Sequence, residues 1–319
     1  MAETIGVTAA VASSALGGTA VAITRHLADR LDPATLGAAR FAIGFAVLAP
    51  IAAVAGGRWP SRRDLPAVAA VGLLFFAVFP WLFNAALALT TAARGALALS
   101  TLPLLTMAAA ALLRVEHLTR RKTVGVLLAV GGVAAALGAG LADAPAGAWR
   151  GDLVMVGAAS CMALYNVLSR PLIARSGPVP FTACGMGAGA IALALVSWSD
   201  GGPATLEGLS VSDWTAVAYL GIVCAALVFW LWALALAHAT PTRVAVSVAV
   251  NPLAAGLLGA VVLDEAMGAS LVVGLAAVTT GIAVATTEGG AAWRMVERRR
   301  WRPSSRRAPP PPRSPPIRG

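Results

Sequence analysis

The stretch DLPAVAAVGLLFFAVFPWLFNAALALTTAAR, residues 64–94, returns at residues 213–243 as DWTAVAYLGIVCAALVFWLWALALAHATPTR. Both copies open on Asp, run through a long apolar segment, and close on Thr and Arg. The shift of 149 continues without a gap from Asp64–Ala136 onto Asp213–Ala285, and 23 of those 73 pairs are identical. A composition this rich in Ala gives roughly eight by chance, so the chain reads as a duplication. The matches that Ala cannot explain are Asp64/Asp213, Gly72/Gly221, Trp81/Trp230, Thr91/Thr240, Arg94/Arg243, Pro103/Pro252, Glu116/Glu265, Gly125/Gly274 and Gly132/Gly281. Upstream, a shift of 145 pairs Gly6/Gly151, Arg25/Arg170 and Pro33/Pro178.

The repeated segments are too apolar for a water-facing surface. Of 319 residues 58% are hydrophobic and only 12% charged, and the mean hydropathy is +0.80. A soluble domain carries about a quarter charged residues, so lipid is the solvent this composition fits. A bilayer core about 30 Å thick takes about 20 helical residues. Ten apolar runs approach that length, at 5–24, 34–55, 65–89, 95–113, 123–141, 151–168, 180–198, 213–237, 244–263 and 269–287. They are continuous rather than alternating, which argues for helices that satisfy their own backbone in lipid. Turn and charge signals separate them, among them Asp32-Pro33, Arg120-Arg121-Lys122 and Ser176-Gly177-Pro178.

Each copy then holds five spans, an odd number, so the second must enter the membrane upside down. The basic residues agree. With the N-terminus cytoplasmic, ten Arg and Lys fall on inner loops, nine more in the last 32 positions, and five on the other side. Glu116 sits in the basic loop Arg114–Lys122, whereas its counterpart Glu265 sits in Leu263–Gly268, which has no basic residue. The predicted fold is an all-α membrane protein of ten transmembrane helices, built as two inverted five-helix repeats over 5–141 and 151–287. Residues 288–319 read as a disordered cytoplasmic tail, because Pro and Arg at that density build no core. Both termini are expected inside. Met-Ala-Glu-Thr lacks a basic leader region, so the first apolar run is expected to stay as a helix. Inverted repeats suit transporters, in which one half rocks against the other around a midplane site.

The order Pro103…Glu116-His-Leu-Thr…Gly125…Gly132, repeated as Pro252…Glu265…Gly274…Gly281, together with Arg40-Phe41 in the second helix, resembles the drug/metabolite transporter superfamily with two EamA-type domains. The resemblance covers roughly residues 5–287. It implies export or uptake of small metabolites, amino acids or drugs across the bacterial inner membrane. It also implies a central cavity lined by helices one, three, four, six, eight and nine. Two positions depart from the pattern between the copies: Met267-Gly268 replaces Leu118-Thr119, and Gly185 replaces Arg40.

Polar groups in hydrocarbon are costly and turn toward protein or water. The candidate substrate-binding residues are Asn84, Ser100, Thr101, Thr106, Ser160, Tyr165, Asn166, Ser247 and Asn251. Trp81, Trp230 and Trp232 can stack on an apolar or aromatic solute, or sit in the interfacial belt. A Ser or Thr can also bond its own helix carbonyl, which an Asn amide does less readily. Arg40 is either a snorkelling side chain or an anion-binding or gating charge. Glu116 and Glu265 end helices, where capping, pairing or fixing a loop is the expected role. Pro103 and Pro252, read as mid-helix, are expected to kink or hinge. The repeated glycines suit close helix contact.

No Asp or Glu lies mid-span, so proton coupling through a central carboxylate has no candidate. Cys161, Cys184 and Cys224 lie in apolar runs without metal spacing and read as packing residues. No metal or cofactor is expected. The expected partners are a small-molecule substrate and membrane lipid, with a homodimer left open and no nucleic acid, because the basic residues mark topology. An intramembrane enzyme lacks its motifs here, since no His-Glu-x-x-His, Gly-x-Ser-x-Gly or Walker lysine occurs. A non-transporting scaffold or sensor is the remaining alternative to an exporter or importer.

Overall fold

The protein was analysed as a computed structural model that describes residues 2–28, 30–87, 89–90, 95, 98–137, 147–199, 201–251 and 269–286. Among them there are helices and turns and no strand. Pro252, Glu265, Arg94 and the tail 288–319 lie outside the described residues.

Helix ends follow the punctuation of the sequence. After α1 (Ala2–Ala28), Asp32 caps α2 (Pro33–Val54), its carboxylate accepting from the Ala34 and Thr35 amides at 3.0 and 2.9 Å. A third helix, α3, spans Leu65–Leu87, and α4 and α5 span Leu102–Leu112 and Arg120–Leu137. In the second half α6 (Trp149–Ser176) breaks into α7 (Pro178–Ser199) at Gly177 alone. There φ is 83°, a conformation that favours Gly. The Ser210 hydroxyl and the Asp213 carboxylate form a reciprocal cap at the start of α8 (Val211–His238). A short α9 (Pro241–Val246) continues as a tighter turn through Ala249, and α10 spans Ala269–Thr286. Five of these, α2, α3, α6, α7 and α8, are long and apolar enough to cross a membrane.

One expectation changes. Pro103 does not interrupt a helix: a turn at Ser100 and Thr101 precedes it, and it occupies the first turn of α4. A first-turn N–H has no intrahelical acceptor, so the ring removes nothing there.

The duplication governs the packing. Lipid supplies little apolar drive between helices, so close approach at small residues holds them. Helix α5 lies against its own counterpart α10, and α2 against α7. A Cβ on Gly125 would stand 2.6 Å from the Gly281 carbonyl oxygen, and one on Gly132 would stand 3.0 Å from that of Gly274. The register descends on one helix as it climbs on the other, so α5 and α10 run antiparallel. Helices α2 and α7 do the same, since Gly37 meets Leu193, Gly44 meets Met186 and Gly57 meets Pro180.

Much of the remaining packing comes in exchanged pairs. Helix α1 packs on α8, as α6 packs on α3. Gly6 abuts Ala239, while its counterpart Gly151 abuts Thr90. Gly44 abuts Ala225, while Gly189 abuts Phe76. Even a backbone irregularity repeats: α3 widens into a π turn at Leu74–Val78 and α8 at Ile222–Leu227. Such turns accommodate one residue more than the α-helical register.

Candidate functional site

Two groups of interior polar side chains come from α1, α4, α6, α8 and α9, and a further buried pair, Thr35 of α2 and Ser197 of α7, joins those two helices. Asn166, midway along α6, is fully buried, and an unbonded amide there would cost several kcal/mol. The Trp232 indole N–H of α8 donates to its carbonyl oxygen at 2.9 Å, and its amide reaches the Thr106 hydroxyl of α4 at 3.5 Å. Three helices of both halves therefore meet at one side chain. Beside it the Tyr165 ring stacks on Phe75 with centroids 4.1 Å apart, inside an aromatic group completed by Phe41, Phe76, Phe79, Phe181 and Phe229. The Tyr165 hydroxyl and, one turn on, the Ser169 hydroxyl are buried without a hydrogen-bond partner among the described residues.

A second polar group joins α1 to α8 and α9. Ser13 donates to the Val228 carbonyl at 2.8 Å, and the Ser14 and Ser247 hydroxyls lie 3.0 Å apart, with Ser247 also donating to Val244. Asn251 is half-buried, and its carbonyl oxygen is in the interior without a partner among the described residues. It faces Gly17, where an added Cβ would come within 3.8 Å of it.

Arg40 is held by the π turn of α8. The Val228 N–H reaches back five residues to Val223 and leaves the Cys224 carbonyl, which accepts from the Arg40 guanidinium at 2.7 Å. The Phe41 and Phe229 rings flank the same guanidinium at 5.5 and 5.9 Å, a cation–π setting. Its Nε is buried without a partner among the described residues.

At one end of the bundle Glu116 binds two groups. One oxygen takes the Lys122 ammonium at 2.8 Å, and the other takes the Thr242 amide at 3.0 Å, in the first turn of α9. A carboxylate at that helix end satisfies an orphan N–H and meets the positive end of the dipole. Both charged side chains are buried. Nearby Arg243 pairs with Glu3 of α1 and reaches the Ala285 carbonyl of α10 at 3.3 Å.

The structure brings together Asn166, Thr106 and Trp232, and separately Ser247 and Asn251. It does not bring Trp81 to them: that ring is 60% exposed, whereas its counterpart Trp230 is half-buried. Asn84 is half-buried and Ser100 buried. Thr101 and Ser160 bond carbonyls of their own segments, Ala98 and Val156. Sequence reading missed Ser13, Ser14, Lys122, Glu3 and Arg243. The Ser13-Ser14 pair inside an apolar run was the available signal. Lys122 and Arg243 were counted only as topology marks; Lys122 pairs six residues away with Glu116, whereas Arg243 and Glu3 lie at distant positions in the chain. A cavity of about 260 Å³ opens between the end of α2 and the α6–α7 turn, by Gly57, Arg58, Arg175 and Pro180, and Asn166 does not line it.

This arrangement of duplicated, antiparallel apolar helices around a few buried polar side chains defines a membrane protein of the transporter class. The profile of the EamA-like transporter family matches residues 4–138 and again 149–287, and the chain belongs to that family. It is similar to an uncharacterized transporter, YyaM, of Bacillus subtilis, at 26% identity over 66% of this chain and 70% of the relative. It is similar as well to a probable terminal-alkyne amino-acid exporter of Streptantibioticus cattleyicolor, at 28% identity over 66% of this chain and 69% of that one. A protein crystal structure superposes on 89% of this chain and 96% of its own, with a TM-score of 0.72 and 27% identity.

Proposed function

We propose that the chain is a secondary transporter that exports a small metabolite, amino acid or drug-like solute across the cytoplasmic membrane by alternating access. In this reading ten helices span the bilayer as two inverted repeats, 5–141 and 151–287, with both termini in the cytoplasm. The observation that carries it is the exchange of contacts between the copies: α2 and α7, and α5 and α10, lie antiparallel, and the main packing contacts of one half recur with the halves interchanged. Two conformations related by that exchange differ little in energy, and alternating access needs such a pair.

The solute passes along the polar groups of α1, α4, α6, α8 and α9. Asn166 and Trp232 hold one another, which fixes that wall, while the Asn251 carbonyl oxygen, unpartnered among the described residues, offers an acceptor. A donor on the solute, such as an ammonium, completes it. The relative named as an amino-acid exporter makes amino acids the first class to assay.

The experiment is counterflow of labelled amino acids and of cationic drugs in proteoliposomes. Replacing Asn251 with Leu keeps the bulk and removes donor and acceptor together. The variant is expected to purify as the parent does and to transport about tenfold less well, the worth of one hydrogen bond at about 1.4 kcal/mol. Absence of flux for the parent across the panel refutes the transport reading. Unchanged flux in the variant removes Asn251 from the pathway and moves the site to Asn166 and Trp230.

A further inference from the structure

The duplication extends to two ion pairs that the polar pathway does not use. Arg30 pairs with Asp213, and Arg175 pairs with Asp64. Arg30 and Arg175 correspond at the shift of 145, and Asp64 and Asp213 at the shift of 149, so the two pairs are copies of one contact. The surroundings are copied too. Ser61 and Ser210 correspond, and each hydroxyl donates to the carboxylate three residues on, at 2.9 and 2.6 Å. Each hydroxyl also accepts from that Asp amide, at 3.3 and 3.2 Å. The carboxylate is thus held in place before the arginine arrives.

Each pair joins one repeat to the other. Arg30 precedes α2 and its partner opens α8, whereas Arg175 precedes α7 and its partner stands immediately before α3. Since α2 and α7 are antiparallel, the residues just before their starts lie at opposite ends of one helix pair, about 30 Å apart by helix length. One fastening therefore stands at each end of the molecule, across the boundary between the halves.

We propose that these two pairs are alternating latches, positioning groups that set which end of the transporter parts. This rests on the transport reading above. An end cannot open while its ion pair holds the halves together, and the opposite pair stays closed meanwhile. The copies differ in burial. The Asp213 side chain is fully buried and that of Asp64 is 19% exposed, while their arginines are similarly half-exposed at 48% and 54%. Water competes less for the Asp213 pair and salt screens it less, so its end is the one held shut at rest. With the N-terminus cytoplasmic that end is the outer one, so the resting protein receives solute from inside, as export requires.

The test uses spin labels on the full chain in lipid nanodiscs, at Pro33 and Val211 for one end and at Arg62 and Ala174 for the other. Arg30→Gln leaves the Ser210 cap intact. It is expected to raise the population of long distances between 33 and 211 about two- to fivefold, the factor a half-exposed ion pair supplies, with the other end unmoved. Arg175→Gln gives the mirror result by a smaller factor, and high salt copies its effect more than that of Arg30→Gln. Arg30→Lys, or the exchange of Arg30→Asp with Asp213→Arg, restores the parental distances. Equal responses at both ends, no response, or an exchange that fails to restore in a folded protein overturns the latches. If the end-specific responses hold while the parent moves no solute, the transport reading fails and the latches stand as devices of another function.

Discussion

Helix α8 crosses α2 at Gly221, and helix α3 crosses α7 at the matched Gly72, but the two crossings are filled differently. At Gly221 a Cβ would meet the Ile43 side chain at 2.5 Å and the Arg40 carbonyl oxygen at 3.2 Å. The Arg40 side chain, from that same α2 segment, then turns onto the Cys224 carbonyl. At Gly72 a Cβ would meet only backbone, the Cα of Gly185 at 2.5 Å and its carbonyl oxygen at 2.7 Å. The π turn there also shifts the ladder, with the Phe79 N–H reaching back to Leu74, but no arginine stands opposite it. Duplication thus preserved the path of the backbone and let the side chains part. One half secures its irregular turn with a charge, and the other with nearly bare backbone and the ring of Phe76.

The largest effect that would break this comparison belongs to Gly72. A backbone neighbour cannot rotate away, so Gly72→Leu is expected to yield no monodisperse protein in detergent. Gly221→Ala, which meets the Ile43 Cβ at 2.5 Å and so needs α2 to shift slightly, lowers stability by about 1–3 kcal/mol and still folds. Recovery of both variants with equal melting temperatures would show that the crossings are equivalent after all.

Next in size is the buried carboxylate. Glu116→Gln leaves the Lys122 ammonium unpaired in the interior, an expected loss of about 3–5 kcal/mol. Glu116→Gln combined with Lys122→Leu removes both charges, keeps an acceptor for the Thr242 amide, and should recover most of it. The position matching Lys122 is Leu271, so the second half has no lysine there. Scanning fluorimetry of the single and double variants measures the coupling, and a double variant as weak as Glu116→Gln would contradict the pairing.

Arg40→Leu comes third. It removes a charge-assisted bond to a carbonyl, worth about 1.5–3 kcal/mol. Gly185→Arg, the reverse exchange, is expected to fail, because a Cβ there already comes to 3.3 Å from Gly72 and from Phe76. Equal tolerance of the two exchanges, read as yield and melting temperature, would mean that the arginine is incidental to α8.

The smallest effect separates two adjacent glycines of α5. Nothing lies within 4 Å of a Cβ on Gly131, whereas one on Gly132 would meet Ala277 at 2.9 Å and Val278 at 3.0 Å. Gly131→Ala should therefore stabilise by up to about 1 kcal/mol through helix propensity, and Gly132→Ala should destabilise. Melting temperatures that move together would refute the tight α5–α10 contact.

Much of the fold was legible because the signals are local or repetitive. Apolar run length marked the long helices, Asp32-Pro33 and Gly177-Pro178 marked their ends, and identities at a fixed shift exposed the duplication. Of the site, Asn166, Thr106, Trp232, Ser247 and Asn251 were legible as polar groups in apolar runs. Their grouping was not, since Asn166 and Trp232 are 66 positions apart. Pro103 was misread for a related reason: the turn at Ser100 and Thr101 lies inside an apolar stretch and carries no Gly or charge to announce it.

The sequence by itself determined that this is a duplicated, lipid-facing helical protein, because hydropathy and repetition are properties of the chain that need no partner. Only the tertiary structure decided which polar residues share an acceptor, which glycine meets backbone, and that Arg30 answers Asp213 as Arg175 answers Asp64. Those pairings are contacts between helices brought side by side by packing, and no local rule relates residues more than a hundred positions apart.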